Sequence, residues 1–96
     1  KNGKNELRSL SQLPNVDVRA VTIPQWSGGP LQYARLIHSK YMTIDGERSW
    51  VGTENWSKGY FTSSRNVGLS IESNTVAAQL GEIFDRVWAS SYARPL

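Results

Sequence analysis

Residues 33–57 read YARLIHSKYMTIDGERSWVGTENWS, and this stretch decides the fold. It holds the sole histidine of the chain, His38, followed by Lys40 and Asp45 in the spacing H-x-K-x4-D. Gly52, Thr53, Glu54 and Asn55 come next, so an imidazole, an ammonium, a carboxylate and an amide fall within 18 positions. Alternate side chains of an extended strand share a face, which groups Leu36, His38, Lys40 and Met42 against Ile37, Ser39 and Tyr41. Asp45-Gly46 is a strong two-residue turn signal, so the chain should fold back as a hairpin. The return strand, Ser49 to Thr53, would bring Thr53 and Asn55 toward the same pocket.

The chemistry of this grouping favours an anion over a cation. An ammonium neutralises phosphoryl oxygens while a neutral imidazole nitrogen attacks phosphorus. An ordinary histidine keeps a useful nucleophilic fraction near neutral pH. Asp45 is a candidate to hold an imidazole in its reactive tautomer, as the third member of a triad does. Taken singly, each residue has a plainer reading: a packing or surface histidine, a solvated lysine, a turn aspartate. The joint spacing H-x-K-x4-D-x6-G-[ST]-x-N is far more restrictive than any of its parts.

This spacing resembles one copy of the HKD motif of the phospholipase D superfamily, matching at His38, Lys40, Asp45, Gly52, Thr53 and Asn55. The words HSKYMTID, VGTENWS and IFDRVWASSYA are similar to a narrower branch. That branch holds the lysosomal phospholipase D-like exonucleases and the poxvirus envelope phospholipase-like proteins. One departure is Glu54, where the pattern has a small residue, often serine; a carboxylate there either repels a phosphodiester or points away. The resemblance covers roughly residues 17–95, with the specific words in its middle third.

The rest of the chain supplies the scaffold. Leu7, Leu10 and Leu13 give a short helical stripe that Pro14 ends. The alternation from Val16 to Ile23 predicts a strand of about seven residues. Residues 24–30, PQWSGGP, read as a loop carrying Trp26, either a groove-lining or a core-covering ring. In the polar run 58–64, Tyr60 and Phe61 either stack on bases or, as the favoured reading, staple a loop to the core. Residues 66–72, NVGLSIE, read as another strand. Asn74 is the expected N-cap of a last helix whose stripe is Val76, Leu80, Ile83, Phe84, Val87 and Trp88. The tail SSYARPL is expected to fray or lie along the surface.

Ninety-six residues allow one small domain with a marginal core. No cysteine is present, which excludes a disulfide framework and a cysteine nucleophile, and a lone histidine argues against an all-protein zinc site. No apolar run approaches a membrane span and no signal peptide is visible. The net charge of +3 suits an anionic partner only modestly.

The expected fold class is α/β. The resemblance implies a mixed sheet flanked by helices in a two-lobed protein, with residues 1–96 a partial lobe carrying one HKD motif. Compared with the full lobe that the resemblance implies, the first strand and much of the first helix are not expected in these residues, so the chain reads as the C-terminal part of the second lobe or as a truncated piece. By the same resemblance, the function is phosphodiester hydrolysis or phosphatidyl transfer through a phosphohistidine, with no metal or other cofactor. The catalytic set is His38, Lys40 and Asp45, and the phosphate-binding set Lys40, Thr53 and Asn55. The substrate is a phospholipid or nucleic acid. The required partner is a second HKD half, in the same full-length chain or in a homodimer. The alternative is a catalytically inactive relative that binds anionic lipid or nucleic acid.

Overall fold

The computed structural model describes residues 3–96. In chain order the elements are α1 (Gly3–Leu10), β1 (Arg19–Val21), β2 (Lys40–Ile44), β3 (Arg48–Gly52), α2 (Lys58–Thr62), β4 (Gly68–Glu72), α3 (Asn74–Trp88) and β5 (Ala93–Pro95). Helices and strands interleave, so the α/β expectation holds, and every strand pairing is antiparallel. The chain divides into two compact units, residues 37–84 and the remainder, with the last turn of α3 falling in the latter. None of the described helices is long and apolar enough to cross a membrane.

In the unit formed by the two chain ends, β1 pairs with β5 in the register Arg19↔Pro95, Ala20↔Arg94, Val21↔Ala93. Backbone bonds from Thr22 N to Tyr92 O (3.0 Å) and from Leu96 N to Val18 O (3.3 Å) extend the pairing on either side. The tail is therefore a strand, and the expected seven-residue strand shrinks to three. Strand length follows the partner available, and β5 offers three residues. Arg19 adds a second tie. Its guanidinium lies 4.4 Å from the Trp88 ring centroid and donates to the Trp88 carbonyl at 2.7 Å. That bond satisfies one of the carbonyls left open where α3 ends.

The unit spanning 37–84 is built on a three-stranded sheet ordered β2-β3-β4. Its rows run Lys40↔Gly52↔Gly68, Tyr41↔Val51↔Leu69 and Met42↔Trp50↔Ser70, then Thr43↔Ser49↔Ile71 and Ile44↔Arg48↔Glu72. Strand alternation places Lys40, Met42, Trp50 and the two glycines on one face, with Tyr41, Thr43, Val51 and Leu69 on the other. The expected turn is present: Asp45 and Gly46 have φ of 53° and 67°. Glu47 N closes it on Ile44 O at 3.0 Å. This left-handed pair matches the twist of a tight hairpin.

Helix α3 starts where the sequence suggests, but Ser73 caps it rather than Asn74. The Ser73 hydroxyl accepts from Val76 N at 3.2 Å, meeting an amide that has no partner within the helix. The buried residue of α3 is Ala77, 2% exposed, whereas Ile83 and Phe84 remain about half exposed. Apolar periodicity marks which side of a helix is apolar; it does not say how much cover its neighbours supply.

Candidate active site

His38 and Ser39 immediately precede β2, which begins at Lys40 rather than further upstream. The alternation argument for His38 and Lys40 is thus replaced by a direct bond. Lys40 Nζ donates to the His38 carbonyl oxygen at 2.6 Å, while the His38 side chain is exposed and Lys40 is half-buried. The ammonium is folded back beside the residue that carries the imidazole. One of its three N–H groups is engaged there, leaving two for an anion.

Asp45 is not brought to this pair. Five strand residues, Lys40 to Ile44, separate it from His38. At about 3.3 Å per residue it stands some 16 Å beyond Lys40. In this chain Asp45 stands at the hairpin turn, and the imidazole it is expected to hold is not one that this strand brings beside it. Tyr41 sits on the sheet face opposite Lys40, where burial raises its phenol above the ordinary value and keeps the O–H neutral.

Thr53 follows β3 and closes the sheet beyond its last row. Its N–H donates to Val67 O at 3.0 Å and also to Glu54 Oε2 at 3.1 Å. Its hydroxyl accepts from Val67 N at 3.1 Å and donates to Asn66 Oδ1 at 3.1 Å. Asn66 in turn donates to Tyr60 O at 2.8 Å and to Ser64 Oγ at 2.9 Å. The one hydroxyl proton of Thr53 has Asn66 Oδ1 and, at 3.4 Å, Val67 O as acceptors, and Thr53 acts here as a latch between β3 and β4. Asn55 is exposed beside it, its carbonyl accepting from Ser57 N at 2.7 Å.

Two features of this region are supplied by the structure: a role for Trp50 and the direction that Glu54 takes. Trp50 lies over Gly52 and Gly68, where a Cβ would meet its ring or nitrogen at 2.3 Å and 2.8 Å respectively. Trp50 meets Trp56 edge-on at 5.5 Å, and Trp56 meets Phe61 at 5.8 Å, with Trp56 and Phe61 both exposed rather than in the core. The other feature is Glu54, which turns inward and is 9% exposed. Among the described residues no group of three or more His, Cys, Asp or Glu side chains is placed to hold a metal ion.

Chemically, the arrangement offers an accessible imidazole, an ammonium with two open donors and an exposed amide beyond the neighbouring strand. A family model described as cardiolipin synthase, PLD-like domain, matches residues 1–88. The chain is 41% identical over 91 residues to phospholipase D Z of Dictyostelium discoideum, covering 94% of this chain and 21% of that protein. It is 36% identical over 101 residues to the 5'-3' exonuclease PLD4 of Homo sapiens, covering 91% of this chain and 20% of that protein. With the virion nicking-joining enzyme of vaccinia virus (strain Western Reserve) it shares 33% identity over 100 residues, covering 97% of this chain and 23% of that protein. The chain spans about a fifth of the length of these relatives.

Proposed function

This chain belongs to the phospholipase D superfamily, and from that premise we propose that it supplies one of two HKD half-sites of a phosphodiesterase. The observation that carries the reading is the His38–Lys40 pair. The Lys40 ammonium is fixed on the carbonyl of the residue that carries an exposed imidazole, with two N–H donors left for phosphoryl oxygens.

The reaction needs two imidazoles. One attacks phosphorus as its nucleophile, the phosphorus–oxygen bond to the leaving alcohol breaks, and the other, protonated, gives its proton to that alcohol. Water then attacks the phosphohistidine, losing its proton to the second imidazole, and the phosphorus–nitrogen bond breaks. In transfer reactions an alcohol replaces the water. General acid help of this kind is worth about 10²–10⁴-fold. His38 fills one of the two roles, and the second HKD half, in the same full-length chain or in a homodimer, fills the other. Lys40 and Asn55 meet the charge on the phosphoryl oxygens, while Thr53 holds the loop that carries Asn55. The names of the similar proteins, phospholipase D and exonuclease, support a phosphodiester of lipid or nucleic acid as substrate.

The test is a rapid denaturing quench of the full-length protein with a diester labelled at phosphorus, followed by peptide mapping. Label on His38 or on the histidine of the second motif is expected. Turnover with no label on any histidine would overturn the phosphohistidine route.

A further inference from the structure

Glu54 departs from the motif, and the fold gives it a built place rather than turning it out to solvent. It is 9% exposed, and its Oε2 accepts from Thr53 N at 3.1 Å. The carboxylate stands over the row that begins at Lys40. A Cβ at Gly52, the cross-strand partner of Lys40, would come within 2.8 Å of Oε2, and one at Gly68 within 3.2 Å of Oε1. Both glycines leave the room that this carboxylate and the Trp50 ring fill. Asn55 is the next residue along the chain. Glu54 thus sits over the sheet row that starts at Lys40 and precedes Asn55 in the chain, within electrostatic range of an anion held there, and its burial limits screening by salt.

We propose that Glu54 is a specificity-determining residue: its carboxylate makes the Lys40–Asn55 site favour monoanionic phosphodiesters and reject dianionic phosphomonoesters. The inference rests on the reading of Lys40 and Asn55 as phosphate-binding groups. Coulomb energy is linear in ligand charge, so a fixed negative charge costs a dianion twice what it costs a monoanion. A diester carries one negative charge, and a phosphomonoester about 1.5 to 2 at neutral pH. The discrimination matters chemically because hydrolysis of a diester yields an alcohol and a monoester. A site built only of cations would hold that product more tightly than its substrate. Glu54 offsets this and frees the site for the next turnover.

The experiment uses the full-length protein and a matched pair of small ligands, dimethyl phosphate and methyl phosphate, at one pH near 7.5. Each is a competitor of bis(4-nitrophenyl) phosphate hydrolysis. In the wild type, dimethyl phosphate should bind at least as tightly as methyl phosphate; a clear preference for the monoester overturns the proposal without any variant. Glu54→Gln keeps an oxygen acceptor for Thr53 N and removes the charge. It should tighten methyl phosphate about tenfold and dimethyl phosphate about threefold, the logarithm of one gain being twice the other. Glu54→Ser should move both in the same sense. Equal gains for the two ligands, or no gain, overturn the proposal. Lys40→Met separates the two levels of the argument. If Lys40→Met leaves anion affinity unchanged, the phosphate-site reading falls. If it abolishes binding while Glu54→Gln changes nothing, the Glu54 inference alone falls.

Discussion

Lys40 Nζ lies 2.6 Å from the carbonyl oxygen of His38, so the ammonium is anchored by the backbone of the residue whose imidazole it accompanies. This ties the ammonium to the imidazole-bearing residue through one short segment rather than through side-chain packing. Lys40→Met should lower kcat/KM for a phosphodiester by about 10²–10³-fold, the range for losing one group that stabilises developing charge. Lys40→Arg should recover little, because a planar guanidinium cannot replace a compact ammonium that serves a carbonyl and an anion at once. Steady-state kinetics of both variants would check this; activity restored to near wild type by arginine would contradict it.

Gly52 is a matter of space. An alanine Cβ there would sit 2.3 Å from the Trp50 ring, so Gly52→Ala should cost about 1–3 kcal/mol in chemical denaturation, as overpacking does. Gly59, within α2, has nothing near its would-be Cβ, and Gly59→Ala should be neutral or stabilise by about 0.5–1 kcal/mol. Similar losses at both positions would show that the indole can move aside freely.

The hairpin tip separates a turn role from a catalytic one. Gly46 has φ 67°, so Gly46→Ala should cost about 1 kcal/mol or more. Asp45 has φ 53°, a conformation that asparagine also tolerates. Asp45→Asn should therefore retain stability and most of the turnover, whereas Asp45→Val should lose both together. A large drop in kcat for Asp45→Asn at unchanged stability would give the carboxylate a chemical task that the strand geometry of this chain does not.

What the sequence made legible was local. The Asp45-Gly46 turn, the two strands it joins, the strand ending at Glu72 and the helix ending at Trp88 all follow from turn chemistry and periodicity within a short window. The pairing of β5 with β1 was not legible, because Ala93–Pro95 has no strand pattern of its own and is ordered by a partner over seventy residues away. The site divided the same way. His38 and Lys40 were found by spacing, but the spacing implied a shared strand face where the structure has an ammonium–carbonyl bond. The bonds of the Thr53 hydroxyl to Asn66 and Val67 follow from the closure of β3 on β4, which no motif spells out. The burial of Glu54 depends on two glycines and an indole brought together by cross-strand register, which no motif encodes.

The core of this unit rests on small contacts. Ala77 is 2% exposed, the one buried residue described in α3. Ala77→Leu should cost about 1–3 kcal/mol, measured as a shift in denaturation midpoint at constant slope. A variant as stable as wild type would place the packing of α3 elsewhere along its apolar stripe.

The central claim is that His38 takes part in the chemistry at phosphorus, and the direct measurement is turnover by His38→Asn in the full-length protein. The variant keeps a polar side chain and loses the titrating nitrogen. With an unactivated diester, a phospholipid or a single-stranded oligonucleotide, steady-state turnover should fall by at least about 10³-fold, as expected for loss of a nucleophile or an essential acid. An activated aryl diester then separates the two roles, since its leaving group needs little protonation. If His38 is the acid, the covalent adduct still forms on the other histidine; if it is the nucleophile, the adduct is lost as well. Near-wild-type turnover of the lipid or oligonucleotide by His38→Asn would contradict both roles, and with them the half-site account.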